Sequence, residues 1–112
     1  KLIEAGRLLY WKPPSASELA LFGFVPDEIK EPEIELWEEN KLAFDCFIDN
    51  RDQWLVSTGG PFALNLVPVY SWLADHDITG PERRAVIADV RLIASGALQG
   101  MQEASKNADK DT

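Results

Sequence analysis

His76 is the only histidine of the chain and Cys46 its only cysteine, so imidazole or thiol chemistry has to run through these two side chains. A hydrolytic triad needs a nucleophile beside a base that a third group orients. Ser71 lies five residues before His76, a spacing that does not align them on one helical face. Asp77, directly after His76, reads as the other half of an exposed loop pair. Cys46 has no partner cysteine and no basic neighbour in sequence, which points to a small packing residue, not a nucleophile. One cysteine excludes an internal disulfide, and one cysteine with one histidine cannot assemble the usual zinc sets. The paired carboxylates Glu38 and Glu39 suggest acid–base work, but adjacent acids at a helix start are ordinarily solvated and lack the burial that shifts a pKa. Gly59-Gly60 hints at a phosphate cradle. No Gly-Lys-Ser/Thr follows it and no strand clearly feeds it, so a turn is the plainer reading. No catalytic, cofactor or metal site is expected, and the chain is not expected to be an enzyme.

What remains is binding. Trp11, Trp37, Trp54 and Trp72 fall mostly at the ends of elements, where an indole serves either as core or as a surface anchor. Arg83, Arg84 and Arg91 make the only local cluster of positive charge. Arg84 and Arg91, seven apart, share a helical face and can dock an acidic partner; neutralising Glu82, Asp89 or the acids of 27–39 is the plainer reading. Trp37, Trp54, Trp72, Arg84 and Arg91 are therefore the candidate protein contacts. Gly96 and Gly100 form a small-xxx-small pair, a close-approach device between membrane helices and a far less diagnostic one in a soluble helix, where it leaves room for another helix.

The elements that must position these residues are predicted to be helices. Leu2, Ile3, Leu8 and Leu9 lie near one face of a first helix over 2–11, which Pro13-Pro14 stops. Ser15 to Glu18 reads as a capping box for a short helix that ends at Gly23. A second long helix over about 38–51 carries the stripe Phe44, Phe47, Ile48 and Arg51, with Leu36 and Trp37 as a hydrophobic staple. For residues 53–57 an extended segment and a helix end both fit, and 58–61 reads as a loop. Asn65 caps a helix over 65–75 whose buried face is Leu66, Val69, Tyr70 and Leu73. Thr79-Gly80-Pro81-Glu82 opens a last helix over 81–104, striped by Val86, Val90, Ile93, Ala97 and Met101. The expected fold is all-α: a small bundle of three main helices with an N-terminal helical arm. Residues 1–32 form the arm and linker, 33–104 the helical domain and 105–112 a frayed tail.

The chain has 112 residues, room for one domain, and 46% of them are apolar, enough for one modest core. Its net charge is −8, which opposes a phosphate backbone and an anionic membrane alike. Seven acids and one base between Asp27 and Glu39 account for −6 of that charge. This stretch reads as a solvated linker and helix N-terminus, with an acidic docking surface as the other possibility. No apolar run approaches the length of a membrane span and no secretory signal is visible, so a cytoplasmic setting is expected.

From Leu36 onward the order of residues resembles a known family. The run Leu36-Trp37-Glu38-Glu39-Asn40, then Phe44 and Phe47, then Gln53-Trp54-Leu55-Val56 and Gly59-Gly60, is similar to small phage-related proteins of unassigned function. These are encoded in the tail-morphogenesis region of tailed phages and prophages. Glu82-Arg83, Ile87 to Ile93 and Ala97 to Met101 resemble that family's final helix, so the likeness spans 36–104. It implies a tail assembly chaperone, or the frameshifted downstream extension of one, in the host bacterial cytoplasm. Its partners would be the tape-measure and tail-tube proteins, bound reversibly without a cofactor, nucleic acid or membrane. A chain that starts at Lys1 without an initiator methionine fits such an extension. Two other readings are an acidic decoy for a host nucleic-acid-binding protein, motivated by the charge, and a structural head–tail or tail component.

Overall fold

A computed structural model describes residues 2–11, 21, 23, 34 and 36–109, with side chains to 105. The elements follow as helix α1 (Leu2–Leu9), a 3-10 turn (Glu38–Asn40), α2 (Lys41–Asp49), β1 (Trp54–Ser57), β2 (Gly60–Leu64), α3 (Val67–Asp75) and α4 (Gly80–Asp109). The expected short helix before Gly23, its capping box and most of the acidic stretch lie outside the described residues.

The all-α expectation is wrong. Residues 54–64 fold as an antiparallel hairpin, so the protein is mixed α and β, and the elements described are four helices and a two-stranded sheet instead of a three-helix bundle. Trp54 pairs with Leu64, Leu55 with Ala63, Val56 with Pro61 and Ser57 with Gly60. The ladder shifts between Leu55 and Val56, which leaves Phe62 as the extra residue of a bulge. Residues 53–57 are too few to show a period, and the glycines that read as a plain loop are the hairpin turn. Gly60 takes φ +103°, open to glycine without steric cost. The Ser57 hydroxyl accepts from the Gly59 amide at 3.3 Å and steadies that turn. Asn65 then works on both sides: its amide donates to the Gln53 carbonyl at 2.7 Å, and its side-chain oxygen accepts from the Val67 amide at 3.1 Å. The hairpin is thereby closed, and the Asn65 side chain makes an Asx turn one residue ahead of the Leu66 N-cap position, where the expectation had Asn65 itself as the cap.

The helices lie close to their expected places. α2 begins as a 3-10 turn at 38–40, α3 starts at Val67 with Pro68 in its first turn, and α4 runs to Asp109, five residues past the expected end. Their inner faces meet in one core of Phe47, Val69, Leu73, Val90 and Ile93, all fully buried. Within α2 the inward face is Ala43, Cys46, Phe47 and Asn50. Phe44 and Ile48 cover its flanks and Arg51 is exposed. The inward face packs along α4, with Phe47 supplying the largest fully buried side chain. Asn50 closes the helix, its side-chain amide donating to the Cys46 carbonyl at 2.8 Å.

The join from α3 to α4 is a Schellman motif. The Ile78 amide donates to the Leu73 carbonyl at 2.9 Å and the Asp77 amide to the Ala74 carbonyl at 3.1 Å. Ile78 is buried, and Asp77 sits at φ +58°, a left-handed conformation that glycine adopts more readily than any side-chain-bearing residue. Asp77→Gly is expected to stabilise the protein by about 0.5–1 kcal/mol, read as a rise in the urea midpoint at unchanged slope. An Asp77→Ala control should lower the midpoint.

α1 is seated on α4 through glycine. A Cβ at Gly96 would overlap the Ile3 carbonyl oxygen, one at Gly100 the Arg7 carbonyl oxygen, and one at Gly6 the Ile93 carbonyl oxygen. The small-xxx-small pair of α4 thus serves as a close-approach seat for a helix. The fully buried residues of α1 are accordingly Ala5 and Gly6, while Leu2 and Leu9 pack against the core edge and Ile3 stays exposed. Arg7 clasps Glu4 on its own helix and donates to Glu103 of α4 at 3.2 Å. The hydrogen bond from Arg7 holds the Glu4 carboxyl below its usual range.

Candidate protein-binding surface

The hairpin that the helical expectation missed carries the most exposed apolar surface. Val56 is 67% exposed, Phe62 58% and Val67, at the start of α3, 71%; Leu55 is exposed as well. The reason is structural: a two-stranded sheet has only one face to lay on the helices, and the bulge turns Phe62 out of the ladder. Between β2 and α4 lies a groove of about 290 Å³. Phe62, Leu64, Leu66 and Leu98 line it, with Ser95 and Arg91 on the α4 side. It is an apolar slot with one cation at its wall. A second hollow, of about 320 Å³, lies where Leu9 and Tyr10 meet Arg51 and Asp52.

The five residues selected from sequence are scattered over this framework. Trp54 is half-buried and turns an edge to the Phe47 ring, centroids 6.0 Å apart at 67°. Trp72 is half-buried too, and both of its sides are used: its indole N–H donates to Asp49 at 2.7 Å, and His76 stacks on its ring at 3.7 Å. These two tryptophans pack against the core from its margins. Trp37, ahead of the 3-10 turn, is 55% exposed. Arg84 and Arg91 are exposed on α4, and Arg91 alone of the five lines the groove. Neither arginine has an ion-pair partner among the described residues, and most of the acids of 27–39 lie outside those residues. Arg83 instead lies over the Tyr70 ring at 5.5 Å.

Sequence leaves residues 53–57 open between strand and helix and reads 58–61 as a loop, and on that reading Val56 and Phe62 show no sign of standing exposed on a hairpin. The signal was present: two apolar runs around a glycine pair, the first of them Trp-Leu-Val, is a hairpin pattern.

The reactive groups are tied up in packing. The His76 Nδ1 lies 2.8 Å from the Trp72 carbonyl, which can only accept, so that nitrogen carries the proton. Cys46 is fully buried, and burial pushes its thiol from 9.0 up to about 11, with Asp49 adding to the rise. The native thiol is expected to resist Ellman's reagent at pH 8 and to react at once in urea. A folded pKa above the unfolded one stabilises fully below about 9 and less as pH climbs toward 11. The urea midpoint should therefore fall across that window, and Cys46→Ala should flatten the fall. Among the described residues no three His, Cys, Asp or Glu side chains gather as metal ligands, and no helix is long and apolar enough to cross a membrane.

Comparison with known proteins adds a family. The model of a family described as phage-related hypothetical protein (DUF1799) matches residues 22–101. The chain belongs to this phage-related family. Neither the curated proteins nor the solved structures provide a match. The family match takes in the hairpin, the groove and the glycines Gly96 and Gly100, while α1 lies ahead of its start.

Proposed function

We propose that this member of the phage-related family is a tail assembly chaperone that acts by reversible protein binding in the host bacterial cytoplasm. It carries out no catalysis and uses no cofactor. Its partners are the tape-measure and tail-tube proteins. The observation that carries the reading is the exposed apolar hairpin, with Val56 and Phe62 turned to solvent beside an apolar groove. Apolar surface grouped in this way is the usual mark of a protein-docking face. Family membership supplies the phage context, and the resemblance to tail-morphogenesis proteins supplies the partners.

A holdase must bind strongly enough to shield a partner and weakly enough to leave. A small apolar patch with a polar rim suits that, since an interface under about 1,000 Å² belongs to the transient class. Co-expression with the tape-measure and tube proteins is expected to yield a complex that survives mild salt, and Phe62→Asp should abolish it while leaving the fold intact. Failure of the wild-type chain to co-purify with either protein overturns the reading. Recovery of the chain from purified particles would reassign it as a structural tail component.

A further inference from the structure

The hairpin leaves one of its two edges unprotected. β2 is the strand that packs along α4, and its own edge is blunted. Pro61 has no amide to donate, and the bulge at Phe62 breaks the line of the ladder. β1 has neither device. Trp54-Leu55-Val56-Ser57 holds no proline and no charge, although the chain as a whole carries −8. Among the described residues no third strand joins the sheet. The Gln53 carbonyl accepts from the Asn65 amide, so Gln53 faces β2, and by alternation Leu55 and Ser57 face it as well. Trp54 and Val56 therefore turn their amides and carbonyls outward. Among the described residues no other element hydrogen-bonds to these groups. The side chains of Leu55 and Val56 are exposed on opposite faces of the strand.

We propose that β1 pairs antiparallel with β1 of a second copy, about a two-fold axis at Leu55, so that two hairpins form one four-stranded sheet. The register centred on Leu55 uses both outward residues of each copy: Trp54 and Val56 of one exchange backbone bonds with Val56 and Trp54 of the other. It also lays each exposed Val56 beside the half-buried Trp54 of the other copy, an aromatic and β-branched pair, and sets the two Leu55 side chains against each other. Charge does not oppose the contact. The nearest ionised groups, Arg51 and Asp52, fall opposite Gly59 and Thr58 of the other copy, so no like charges meet. A foreign strand needs its own match to this register, whereas a second copy supplies it by symmetry. Each copy offers a single unblunted edge, so the contact is isologous and closes at two. Two strands of four residues bury less than the roughly 1,200 Å² of a stable interface, which makes the dimer weak and reversible. The inference goes beyond the chaperone reading, because it concerns the purified chain alone.

Analytical ultracentrifugation of the whole chain at high micromolar concentration tests it. The wild type is expected to form a reversible dimer and nothing larger, at about 0.1 M and about 1 M salt alike, because no ion pair holds it. Val56→Pro removes an outward donor that β2 does not use and should weaken dimerisation roughly tenfold or more. Leu55→Lys and Leu55→Glu, at an exposed position, each set like charges together on the axis, and each should be monomeric. The deciding arm mixes these two, which should restore a dimer holding one of each. Phe62→Asp, which the chaperone reading expects to lose the tail partners, lies off this edge and should dimerise as the wild type does. A monomeric wild type overturns the proposal and leaves the β1 edge to a strand of a foreign protein. Species larger than a dimer, dimers that persist in both Leu55 variants, a mixture that does not pair, or loss of the dimer in a folded Phe62→Asp overturn it as well. Circular dichroism of each variant separates lost association from lost fold, and the Leu55 pair decides if Val56→Pro does not fold.

Discussion

Gly96→Ala is expected to push α1 off α4, against the direction that helix propensity alone would give. In an ordinary exposed helix position the change from glycine to alanine gains about 1 kcal/mol. Here the added methyl meets the Ile3 carbonyl oxygen, and the Ile3 carbonyl carbon lies only 2.7 Å from where it would sit. Backbone cannot rotate out of the way as a side chain can, so α1 must shift as a body. The shift also moves Arg7 away from Gly100 and from Glu103. A net loss of about 1–3 kcal/mol is expected, in line with overpacked core positions. Urea unfolding measures the loss, and hydrogen exchange locates it, with protection disappearing from 5–9 before it does from the body. Gln99→Ala, at an exposed site on the same helix, should be neutral or slightly stabilising. A neutral Gly96→Ala would show that the two backbones are not in contact.

Phe47→Ala is expected to remove a large share of the protein's stability. Phe47 is fully buried at the centre of the core, and its ring holds the edge of Trp54. Truncation loses the transfer energy of the ring and leaves a cavity, together about 3–5 kcal/mol. A domain of this size is stable by about 5–15 kcal/mol, so the variant sits near the unfolding threshold. Its consequence reaches past the core. Trp54 is the first residue of β1 and pairs with Leu64 at the base of the hairpin. Loss of the Phe47 ring therefore loosens the element that carries Phe62. Fluorescence is expected to show a red shift from Trp54, and binding through the hairpin should weaken in proportion. Phe47→Leu, which refills most of the space, should recover much of both. If Phe47→Ala unfolded with the wild-type midpoint, the core would have to lie elsewhere.

The two variants also mark where sequence reading succeeds and where it stops. The stripe of α4 was legible because Val86, Val90, Ile93 and Ala97 repeat at helical spacing over many turns, and all four are buried. Proline and asparagine at the start of α3 were legible for the same kind of reason, since their effects are local. The hairpin was not. Four residues of β1 and five of β2 are too few for a period to show, and a bulge breaks the alternation that would have helped. Trp54 and Trp72 have the right chemistry for contact surfaces, and the structure adds that Trp54 packs on Phe47 while Trp72 meets Asp49 of α2 and the neighbouring His76.

By itself the sequence determined the helices, their approximate ends, the apolar stripe of the longest one and the single-core size of the domain. The glycine pair Gly96 and Gly100 left room for a close neighbour, because only glycine leaves that space, without requiring one. These properties follow from residues near one another in the chain. Only the tertiary structure decided that α1 is that neighbour, that residues 54–64 pair with each other, and that Phe62 and Arg91 share one groove. It decided too that Trp72 spends its N–H on Asp49. Each of those outcomes depends on which distant residues compete for the same surface, and local spacing carries no record of that competition.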